Sequence, residues 1–129
     1  MLKKIAVLIL IILAIWHIDA RAEESSNLVK GYATAYCLDG KTATGKEVRK
    51  GICATGHREW LGKTAIIYQR LPGDKIGDVI GIYEIEDTGC KDTVVDVWYP
   101  EDECQDFMNM VYADGCQGKV FIQIVDAEG

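Results

Sequence analysis

The chain has 129 residues, 14 Lys and Arg against 20 Asp and Glu, a net charge of −6 and a hydrophobic content of 49%. That length is enough for one domain with one core. The negative charge repels phosphate backbones and anionic lipid, so the sequence argues against nucleic acid and membrane surfaces as partners and favours a neutral or cationic ligand.

The chain opens with MLKKIAVLILIILAIWHIDARA, which has the plan of a secretory signal. Lys3 and Lys4 form a basic start, Ile5 to Trp16 an apolar stretch, and Ala20-Arg21-Ala22 a small-residue cleavage site. The apolar stretch is shorter than the roughly 18–20 residues that cross a bilayer. Residues 1–22 are therefore expected to be removed, with no stable membrane anchoring afterwards and a secreted or cell-envelope location. What remains holds 11 basic against 19 acidic side chains, a net charge of −8. A polar lead-in over residues 23–32 begins EESSNLV, and the domain is placed at 33–129.

Glycine-punctuated runs of β-branched and aromatic residues predict strands at Val29 to Tyr36, Thr64 to Arg70, Asp78 to Glu86, Val94 to Trp98 and Lys119 to Asp126. They are separated by DGKTATGKEVRKG, LPGDKIG and DTGCKD. One helix is predicted from Pro100 to Met110: proline suits the first turn, Glu101, Asp102 and Glu103 complement the positive end of the dipole, and Phe107, Met108 and Val111 form an apolar stripe. Short strands at this spacing indicate a mostly β fold, a small barrel or sandwich, with one short helix.

Five cysteines, Cys37, Cys53, Cys90, Cys104 and Cys116, follow the signal. In an oxidising compartment they are expected to form at least one disulfide, of a connectivity the residues themselves leave open. There is no Cys-x-x-Cys pair, and Cys53 with His57 is too little for a zinc site, so neither a metal nor a cofactor is expected. Glu59 and Glu86 read as solvated, and Thr44-Gly45 as a turn.

The stretches ATAYCLDGKTATG, LGKTAIIY, EDTG, VVDVWYP and KVFIQIVD, in this order, resemble the 3D domain, a family named for three aspartates. The resemblance runs from about Ala33 to Asp126, nearly the whole exported part. It implies a six-stranded double-psi β-barrel of the kind found in exported bacterial proteins, among them lytic transglycosylases of the membrane-bound lytic transglycosylase A type and stationary-phase cell-wall factors. Asp87 matches the aspartate of the family's D-T-G-G turn, and Asp96 that of its D-(L/I/V)-(Y/W) strand, the proposed catalytic acid of the related transglycosylases. Thr55 stands where the family carries its first aspartate. Cys90 replaces the second glycine of the turn, which implies a local disulfide at Cys90, with Cys116 as a candidate partner.

The implied activity is cleavage of the β-1,4 bond between N-acetylmuramic acid and N-acetylglucosamine in peptidoglycan glycan strands, leaving a 1,6-anhydro product. A single carboxyl group suffices, because the muramic C6 hydroxyl takes the place of an activated water. Such an acid must keep its proton well above the value of about 3.9 for free Asp, which burial among Val94, Val95, Val97 and Trp98 and a like charge at Asp87 would both promote. Thr34, Tyr36, Thr55 and Trp98 are the candidate sugar contacts. The competing reading is a non-catalytic glycan-binding or wall-loosening module, in which Asp96 faces solvent or accepts backbone hydrogen bonds and Asp87 caps its own turn.

Overall fold

The computed structural model describes residues 27–126; the signal peptide expected over residues 1–22 lies outside the described residues. The elements run β1 (Val29–Tyr36), β2 (Ile52–Thr55), β3 (Thr64–Leu71), β4 (Lys75–Thr88), β5 (Val94–Trp98), α1 (Glu101–Tyr112) and β6 (Lys119–Val125). The six strands close into a barrel in the order β1-β5-β2-β4-β3-β6. Two neighbouring pairs, β1 with β5 and β2 with β4, are parallel, and the other four are antiparallel. This mixed closed barrel with one helix among the described residues is compatible with a double-psi barrel.

Period-two alternation puts Val95 and Val97 of β5 inside and leaves Val94, Asp96 and Trp98 on the outer face. Inward residues from every strand make one core, including Ala33, Cys53, Ile67, Ile85, Val95, Val97, Val120 and Ile122. The helix begins after Pro100, carries Glu101, Asp102 and Glu103 in its first turn, and buries Phe107 and Val111, four positions apart on one face. Phe107 meets Tyr83 edge to face and packs against Tyr99 at 5.1 Å between ring centroids.

Strands β1 and β5 begin and end where the residue pattern predicts, and β3, β4, β6 and α1 differ by a few residues at their ends. β2 is the element the pattern does not reveal. All four of its residues, Ile-Cys-Ala-Thr, are buried, so it shows no alternation, and four residues between glycine-rich stretches are too few to announce a strand.

Candidate active site

Four strands bring the candidate residues onto one rung of the barrel's outer face. Thr34 of β1 is paired with Asp96 of β5, Asp96 with Ala54 of β2, and Ala54 in turn with Asp87 of β4. The two aspartates therefore flank Ala54 from either side, two strands or about 10 Å apart at the backbone. Ala54 is only 5% exposed and forms a small floor between them. The next rung pairs Tyr36 with Trp98, which places both aromatics alongside the carboxylates.

Asp96 is half-buried and accepts a 2.7 Å hydrogen bond on Oδ1 from Thr34 Oγ1. Burial pushes its carboxyl above the usual aspartate range, and the Thr34 hydrogen bond works in the opposite direction. The like charge of Asp87, expected to share in that rise, instead acts with Asp96 on Tyr36, whose phenol is pushed up by burial first and by the two carboxylates after it. The Tyr36 hydroxyl is buried without a hydrogen-bond partner.

Asp87 is tied into the backbone: its Oδ1 accepts from Thr88 N at 2.9 Å and from Ala43 N at 3.1 Å. It thus caps its own turn and also fastens the loop between β1 and β2. The turn that follows needs Gly89, whose φ of +106° is a conformation that side chains disfavour. That loop is further held by Thr44 N to Glu86 O at 3.3 Å and by Trp98 Nε1 donating to Leu38 O at 3.0 Å. Thr44 and Gly45 form the expected turn, with Gly45 N bonded to Thr42 O. Residues 37–48 therefore make a rim beside the aspartates, in which Trp98 serves as an anchor.

Thr55 is 1% exposed, and its hydroxyl lies 3.3 Å from both the amide and the carbonyl of His57. It organises a turn and presents no atom to the outer face. His57 stacks on Trp60 at 3.9 Å and contacts Glu59 and the Asp92 carbonyl through its two ring nitrogens. Gly56 lets this turn pack against the 89–93 loop, since a Cβ there would sit 2.7 Å from Cys90 O and 2.8 Å from Lys91 C.

Two expectations are corrected. Glu86 is not solvated: its side chain is 4% exposed and is held by Arg49 and, at 3.1 Å, by Lys46. These cations come from the rim loop, which is why the local sequence around Glu86 does not betray the pairing. The expected disulfide at Cys90 is also absent, and all five cysteines are free thiols. Cys90 is half-buried in the turn after β4, whereas Cys116 is buried in the turn before β6. Burial raises the Cys90 thiol to about 11 and the Cys53 thiol, in the core, to about 12, which leaves both poor nucleophiles at neutral pH.

Two clefts of about 340 and 360 Å³ lie elsewhere, one along Arg49, Lys50, Thr64 and Glu84 and the other in the rim loop along Asp39, Lys41 and Glu47. Neither includes Asp96, which is half-buried on the barrel's outer face beside the exposed Thr34. No known protein family, no curated protein sequence and no solved structure matches this chain.

Proposed function

We propose that the protein is an exported lytic transglycosylase acting on peptidoglycan glycan strands, with Asp96 as its acid and base. The observation that carries this reading is a half-buried carboxyl with raised proton affinity on the barrel's outer face, with Asp87 across the small Ala54 floor. The likeness of its DTG and DVW segments to the 3D domain supplies the reaction class.

Thr34 occupies Oδ1 of Asp96, so Oδ2 carries the proton. It passes that proton to the bridging oxygen as the bond from C1 of N-acetylmuramic acid breaks, and the N-acetylglucosamine end leaves as an alcohol. The resulting carboxylate then accepts the proton of the muramic C6 hydroxyl, whose oxygen bonds to C1 and closes the anhydro ring. Asp96 is regenerated in its acid form and no water is consumed. The Tyr36 ring lies on the rung beside Asp96, next to Trp98. Asp87 holds the rim loop that borders the strand.

Incubation of the purified protein with peptidoglycan, followed by mass spectrometry of the soluble muropeptides, tests this reading. Anhydro-muramyl ends are expected. Sedimentation of the protein with the wall, without any such ends, would replace the enzyme by the glycan-binding module.

A further inference from the structure

Strand β1 sets Tyr32, Thr34 and Tyr36 in a row on the barrel's outer face, and β5 runs parallel beside it with Val94, Asp96 and Trp98 opposite them. The Thr34–Asp96 rung is therefore flanked by aromatic side chains in both directions, Tyr32 on one side and Tyr36 with Trp98 on the other, each about 7 Å along the strands.

Tyr32 is 45% exposed, yet its ring is supported from the protein side. The Arg70 guanidinium lies over the ring at 5.6 Å from its centroid and 5.9 Å from that of the buried Phe121. Arg70 is itself fixed. Its side chain is 9% exposed, Nη2 donates to Gly31 O at 3.1 Å, and Nη1 stands 3.7 Å from Asp74 Oδ1. The Tyr32 amide donates to Thr93 O at 2.8 Å, which holds the base of the side chain against β5. An exposed aromatic ring braced by a buried cation loses little freedom when a ligand lands on it.

We infer that Tyr32 is a sugar-stacking platform at the subsite next to Asp96, so that a glycan strand lies along β1 and β5 from Tyr32 across the Thr34–Asp96 rung towards Trp98. This inference rests on the glycan reading above and adds to it a residue that touches the sugar beside the bond to be cleaved. The face of a pyranose ring presents C–H groups, and stacking on Tyr32 buries that apolar patch while the hydroxyls at its rim stay in water. An uncharged ring also suits a chain of net charge −6.

The test measures binding to chitotetraose by NMR titration and to purified peptidoglycan sacculi by sedimentation, beside the release of anhydro-muramyl ends from the same sacculi. Tyr32→Ala should keep the wild-type circular dichroism spectrum and weaken binding by about 5- to 10-fold, the scale of one aromatic contact. Tyr32→Phe, which keeps the ring, should restore binding, whereas Tyr32→Thr, which suits a strand but has no ring, should not. Tyr112→Ala, which removes an exposed aromatic ring at the end of α1, should bind as the wild type does. Failure of the wild type to bind either probe, full binding by Tyr32→Ala, an equal loss in Tyr112→Ala, or a change confined to oligomeric state would overturn the platform. If binding follows the Tyr32 ring but no anhydro ends appear, the platform stands and the catalytic reading falls. If Tyr32→Ala binds and releases anhydro ends as the wild type does, the catalytic reading stands and the platform falls.

Discussion

At the scale of single residues, two carboxylates show how setting decides charge. Asp96 has its proton affinity raised, chiefly by burial, so the folded state binds the proton more tightly than the unfolded state does. The resulting stability is present at low pH and is lost as pH rises from about 3.9 through the folded value. Asp96→Asn, which keeps an oxygen to accept from Thr34, should therefore melt higher than wild type at pH 7 and level with it near pH 3. Melts at the two pH values check this, and a lower melting temperature at pH 7 would mean that the carboxylate is needed to satisfy donors around it.

Glu86 follows the opposite sign. Arg49 first, then Lys46, hold it below the usual carboxylate range, so its contribution is present above about pH 4.3 and fades as pH falls through the folded value. Glu86→Gln should cost about 1–2 kcal/mol at pH 7, a figure kept low because Arg49 is 44% exposed. The cost should shrink in acid, as chemical denaturation at pH 7 and pH 3 would reveal.

At the scale of elements, the site depends on two loops docking against the barrel. Gly56 lies tight against the 89–93 loop, with Cys90 O and the Lys91 carbonyl where a Cβ would stand. Gly56→Ala must push the 89–93 loop outward, at a cost of about 1–3 kcal/mol. Because Gly89 and Asp87 lie in the same turn region, the variant should also lose the proposed glycan cleavage, and a melt paired with an activity assay separates it from a neutral change.

The same elements show what the residues disclose. Val94 to Trp98 announces a strand by its β-branched alternation, and Asp96 stands out because it interrupts that pattern. DTG and DVW are short motifs with local geometry, so their positions are readable. β2 is different: its four residues are all buried, and its role as the strand between the two aspartates follows from pairing with both β4 and β5, which no local pattern encodes. Thr55 illustrates the same limit, since its side chain bonds the His57 backbone. The partners of Glu86 lie 37 and 40 positions away along the chain, at Arg49 and Lys46, and only closure of the rim reveals them.

At the scale of the whole molecule, closure of the barrel aligns Thr34, Asp96, Ala54 and Asp87 across four strands. A carboxyl that is half-buried on the outer face can keep a proton while a polymer lies across it, which joins the fold to the proposed chemistry. The net charge of −6 suits a glycan partner better than a polyanion. The most direct test compares release of anhydro-muramyl products by wild type and Asp96→Asn on the same peptidoglycan, with circular dichroism to confirm that both are folded. The account predicts a folded variant whose product release falls by about 10²-fold or more, the scale of a lost general acid. A folded Asp96→Asn protein that releases anhydro products at the wild-type rate would contradict it.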